Sequence, residues 1–140
     1  MKLLPLLLAL ANLCVMSTVE AAGFKAGVAV RTVTPSPLLP VSGGMGPSSK
    51  ASEKKGDLTV RALALGNTQT QLVIVSSDFL GFPAALGDKV RAQVTWIPSE
   101  HILIGASHTH SAPDCYGFPN GKGGTDADLE YLNFVCDQMA

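Results

Sequence analysis

Two of the three histidines in this 140-residue chain, His108 and His110, stand one residue apart in the stretch G-A-S-H-T-H-S-A-P-D, residues 105 to 114. Neutral imidazole is a good ligand for a divalent metal, and zinc takes such nitrogens at about 2.0 to 2.1 Å within a shell of four ligands. In extended backbone, side chains i and i+2 leave on the same side, so this spacing lets both rings face one point. Two histidines are half a zinc site at most. Asp114 offers a carboxylate close by, and Asp78, at the end of an apolar run, offers one that sets a histidine's tautomer from behind. Spacing alone leaves open the plainer alternative, two loop histidines facing solvent. Ser111 beside His110 suggests a nucleophile and its base, but adjacent residues of an extended chain point to opposite faces, which favours a structural hydroxyl. His101 has no such context and reads as a solvent-facing residue at a strand edge. The metallo-β-lactamase pattern H-x-H-x-D-H also follows an apolar strand, but Ala112 and Pro113 stand here where its aspartate and third histidine belong.

The elements that must carry these residues follow from the apolar pattern. Ala26 to Thr34 is β-branched and ends at Pro35, as a strand does. Val41 to Lys55 is rich in glycine, serine and lysine and reads as an exposed loop. Leu58 to Leu65 and Gln71 to Ser77 read as strands joined by the turn Gly66-Asn67-Thr68-Gln69, a hairpin. The run L-V-I-V in the second strand is continuously apolar and predicts cover on both faces. Pro83 opens a helix whose stripe is Ala84, Leu86, Val90, Val94 and Trp96. His101 to Ser107 is a further apolar strand. The resulting strand, helix, strand unit predicts a parallel pair, with ligands gathering beyond the carboxyl ends of its strands, where Asp78 and His108 lie. Thr125 or Asp126 then caps a second helix through Leu129, Leu132 and Val135. The expected class is α/β, a layered sheet with strand-helix-strand units. Because Ala140 falls inside that last helical pattern with no glycine cap, proline or closing strand after it, residues 23 to 140 read as a truncated product.

A net charge of -1 leaves no basic surface for nucleic acid. Residues 1 to 22 have an early Lys2, an apolar stretch and small residues near Ala21, which is signal-peptide grammar and implies export to the periplasm or the medium. A retained anchor and a lipoprotein cysteine at Cys14 are the alternatives. In an oxidising compartment Cys115 and Cys136 are candidates for a disulfide, with a core position for Cys136 as the other reading.

Several stretches together resemble the N-terminal part of the neutral, non-lysosomal ceramidase family: Ala26-Gly27-Val28-Ala29 through Thr34-Pro35, Gly43-Gly44-Met45-Gly46, Asp57 to Leu63, Val75-Ser76-Ser77-Asp78, and Ala106 to Pro113. The resemblance implies a zinc-dependent amidohydrolase that cuts the N-acyl bond of ceramide, or of a related lipid, with His108 as a Zn2+ ligand and His110 as the residue contacting the reacting amide. It also implies a lipid substrate, and it makes residues 23 to 140 the incomplete N-terminal part of a larger catalytic domain; peripheral contact of the Val41 to Lys55 loop with a membrane surface stays open beside a plain solvated loop. Thr32, Leu58, Ala112 and Asp114 depart from the family pattern. The family's remaining ligands, a second histidine, a glutamate and a tyrosine, have no counterpart here, so this chain alone is expected to be inactive. A secreted non-catalytic module with the same fold, or an amidase or esterase on another substrate, are the competing readings.

Overall fold

The computed structural model describes residues 23 to 44 and 46 to 140; the expected signal segment and the alternatives resting on it lie outside these residues. A four-stranded sheet carries the architecture, in the order β1 (Lys25–Thr32), β3 (Thr59–Gly66), β4 (Gln71–Ser77), β5 (Ile102–Ala106). β3 runs antiparallel to both β1 and β4, and β5 runs parallel to β4. The hairpin turn holds as the residue types suggest. Asn67 donates its amide to the Thr70 carbonyl at 2.9 Å, and its side-chain oxygen accepts from the amides of Gln69 and Thr70, the side-chain turn that asparagine favours. Between β4 and β5 the chain crosses through α1 (Ala84–Gln93), giving the expected parallel unit with Val73 opposite Ile102 and Ser77 opposite Ala106.

Period two then sorts the strand residues between the two faces. Val60, Val73, Val75 and Ile102 are buried, facing Val90 of α1 and Leu132, Val135, Cys136 and Met139 of α2 (Leu129–Met139). Phe79, just past β4, has no exposed surface; it meets Phe82 edge-on at 6.0 Å and Tyr131 at 6.2 Å. Tyr131 donates its hydroxyl to the Val33 carbonyl at 2.8 Å, which ties α2 to the end of β1. Lys89 and Gln93 of α1 reach Asn133 and Asp137 of α2.

Several expectations fail here. Both faces of L-V-I-V are not covered: Val73 and Val75 are buried, while Leu72 and Ile74 are 39% and 36% exposed, because both helices pack on one side. Trp96 lies beyond the end of α1 and is 63% exposed, and Leu129, on the outer side of the first turn of α2, is 73% exposed. Asp128, not Thr125 or Asp126, caps α2, accepting from the Tyr131 amide at 2.9 Å. The glycine-rich segment after Pro40 is not wholly a surface loop. Val41 and Ser42 form β2, which pairs with β6 (Ala112–Pro113), and Val41 exchanges two 2.8 Å hydrogen bonds with Ser49. His101 ends a short 3-10 turn (Ser99–His101) that folds it inward, leaving its Nδ1 buried with no partner among the described residues.

Among the described residues Cys115 and Cys136 are free and buried. The Cys115 thiol donates to the Gly81 carbonyl at 3.0 Å, whereas the Cys136 thiol faces the Leu86 carbonyl on α1 at 3.9 Å, so each has its own partner instead of the other. Burial pushes the Cys115 thiol up to about 11 and raises Cys136 as well, which keeps both protonated and poor as nucleophiles or ligands.

Candidate metal-site corner

β5 ends at Ala106, and the chain turns at once. Ser107 donates its amide to the Ser77 carbonyl at 2.9 Å, extending the β4–β5 ladder by one bond. His108 then takes φ +61°, the left-handed region that side chains other than glycine seldom adopt. The backbone here is therefore not extended, and the period-two argument is not what brings the histidines together. The turn does so instead: the two rings lie 5.1 Å apart, centre to centre, with their planes at 80°. Both residues are exposed.

The orientation of His108 is set from behind. Its Nδ1 lies 2.7 Å from the Leu80 carbonyl oxygen, so Nδ1 carries the proton and donates. Nε2 is left as the lone-pair nitrogen. A ring held this way by a backbone carbonyl is the arrangement metal-ligating histidines use. His110 sits against Gly43, whose φ is +113°; a Cβ there would come within 3.0 Å of His110 Cγ and 3.2 Å of the Leu80 side chain. Glycine at 43 is thus required twice, by conformation and by space. The β2–β6 pairing holds Gly43 in place, since Ser42 lies opposite Ala112.

Neither carboxylate expected at the site reaches it. Asp78 accepts from the amide and hydroxyl of Thr59 at 3.0 and 2.8 Å and pairs with Arg61 at 3.3 Å. Partial burial pushes its pKa up, but those hydrogen bonds, one from Ser107 and the Arg61 charge outweigh it and hold the carboxyl below its ordinary value. Asp78 therefore locks β3 to the end of β4 and orients no histidine. The orienting acceptor is two residues further on, at Leu80. Asp114 is only 1% exposed and is occupied by its own loop: it accepts from the amides of Tyr116, Gly117 and Phe118 at 2.8 to 3.1 Å and from the Thr125 hydroxyl at 3.2 Å. All its acceptor capacity is directed inward, which removes it as a ligand. Ser111 is exposed.

Residue types do not reveal a backbone acceptor, so Leu80 had no signal in the sequence. Gly43 had one, the glycine cluster itself.

Zinc needs four ligands. Among the described residues no three His, Cys, Asp or Glu side chains come together where a metal could sit. The donor set present fits one corner of a zinc site, His108, with His110 beside it, and no reaction step through zinc follows from these residues alone.

No family model and no curated protein matches the sequence. Solved structures do. A structure described as ceramidase complexed with C2 aligns with a TM-score of 0.64 at 19% identity, over 83% of this chain and 20% of its own. Neutral ceramidase from Pseudomonas aeruginosa aligns with a TM-score of 0.59 at 16% identity, over 86% of this chain and 21% of its own. This chain thus spans about a fifth of the length of these proteins and has the fold of that part of a neutral ceramidase.

Proposed function

We propose that the chain is the part of an exported, zinc-dependent hydrolase of the neutral ceramidase type that supplies one zinc ligand, His108, and one substrate contact, His110. The substrate class is an N-acyl lipid such as ceramide, and the bond cut is its amide. The observation that carries this reading is the 2.7 Å bond from His108 Nδ1 to the Leu80 carbonyl, which leaves Nε2 free beside a second imidazole in a ceramidase fold. A zinc ion held there by His108 and further ligands would supply a bound water of lowered pKa and a Lewis acid for the carbonyl. In this reading His110, whose ring sits on Gly43, hydrogen-bonds the amide. The reading requires the remaining ligands to come from outside the described residues.

Zinc titration of the isotope-labelled chain, followed at the imidazole nitrogens, tests the assignment. Weak binding seen at His108 Nε2, lost in His108→Ala and kept in His110→Ala, is expected, with no hydrolysis of ceramide by the chain alone. Affinity unchanged by His108→Ala, or ceramide turnover by this chain with stoichiometric zinc, overturns it.

A further inference from the structure

The segment after the histidines returns to the Leu80–Gly81 dipeptide at two more points. Cys115 donates its thiol to the Gly81 carbonyl at 3.0 Å. Tyr116 lays its ring edge and hydroxyl over the Gly81 α-carbon: a Cβ there would lie 2.8 Å from Tyr116 Cζ and 3.0 Å from Cε2, and would collide with the hydroxyl outright. The left-handed glycines are Gly43, Gly46, Gly117, Gly121 and Gly123, so Gly81 is needed for the space Tyr116 fills and not for its backbone angles. Tyr116 is itself fixed. Its amide donates to buried Asp114 at 2.9 Å, and its ring lies 5.3 Å from that of Phe118, inclined at 30°. Almost half its surface is exposed, so core burial does not explain where it points.

We propose that Tyr116 is a positioning residue for His108, acting through Gly81 on the Leu80 carbonyl. Asp114 fixes the loop, the loop sets Tyr116 on Gly81, and the peptide so clamped presents its preceding carbonyl to His108 Nδ1. The ring contact, not the hydroxyl's chemistry, does the positioning. The role serves the ligand assignment proposed above, but the tautomer of His108 reports it directly.

Long-range proton–nitrogen spectra of the 15N-histidine chain, taken near pH 8.5, well above the ordinary imidazole pKa of about 6.5, give the tautomer ratio of each neutral ring. The wild-type chain is expected to hold His108 mainly in the Nδ1–H form. Tyr116→Phe keeps that ratio. Tyr116→Ala and Gly81→Ala each lower it by roughly threefold to tenfold, the worth of one hydrogen bond, while His110 is unmoved. The double variant is no worse than either single one, because the two changes break the same contact. A folded Tyr116→Ala chain with an unchanged His108 ratio overturns the proposal. So does the absence, in the wild-type chain, of a nuclear Overhauser contact between the Tyr116 ring and the Gly81 α-protons, a measurement that needs no variant to fold. Zinc titration failing at His108 while these ratios move as stated would overturn the zinc assignment and leave the positioning role intact.

Discussion

At His108 a residue with a side chain sits at φ +61°, and it is the same residue whose ring is pinned at Nδ1. A left-handed non-glycine costs on the order of 1 to 3 kcal/mol and persists only where neighbouring contacts enforce it. Here the β4–β5 ladder ends one residue before it and the Leu80 carbonyl seizes its ring, so the contacts that enforce the angle also aim Nε2 outward. Asp78 shows the opposite outcome, a residue in a site-like place with a purely structural task. Its pKa is depressed in the folded chain, so the stability it contributes is present above its ordinary value, near 3.8, and is lost as pH falls through the folded value. Asp78→Asn is therefore expected to cost about 1 to 3 kcal/mol at neutral pH, the usual worth of hydrogen bonds to a charged group. Its denaturation midpoint, followed from pH 7 downward, should then fall less steeply below about pH 4 than that of the wild type.

Among the elements, α2 owes its start to a single side chain. Asp128 accepts from the Tyr131 amide, and the same tyrosine lies against Phe79 and bonds the Val33 carbonyl. Loss of the cap loosens the first turn just where it joins the core. Asp128→Ala is expected to destabilise the chain by about 1 kcal/mol, with Asp128→Asn close to wild type, in urea unfolding followed by circular dichroism. The start of α2 was legible only to within three residues, because Thr125, Asp126 and Asp128 all have capping side chains. Thr125 is instead taken up by Asp114 and the Ala127 amide. By contrast, the β3–β4 hairpin and the β4–α1–β5 unit were legible nearly to the residue, since asparagine turn chemistry and short apolar runs are local signals.

For the molecule as a whole, both helices pack on one side of the sheet and leave the other side open. The helices cover β3, β4 and β5, while every residue of β1 is exposed, Val28 at 80%, and an apolar groove of about 340 Å³ runs from β1 to Met139. Stability is accordingly concentrated at Phe79 and its neighbours. Phe79→Ala is expected to cost about 3 to 5 kcal/mol, as aromatic truncations in cores do, and Val28→Ala no more than about 0.5 kcal/mol, both read from the denaturant midpoint. The local sequence determined the α/β class, the hairpin and the parallel crossover, because alternation and turn residues act over a few positions. Tertiary structure alone decided which face stays bare, that Cys115 and Cys136 remain apart, that Asp78 and Asp114 turn away from the histidines, and that a backbone carbonyl orients His108. Each of these depends on which distant segment packs against a given donor or surface, and a carbonyl belongs to every residue, so no residue type could announce it.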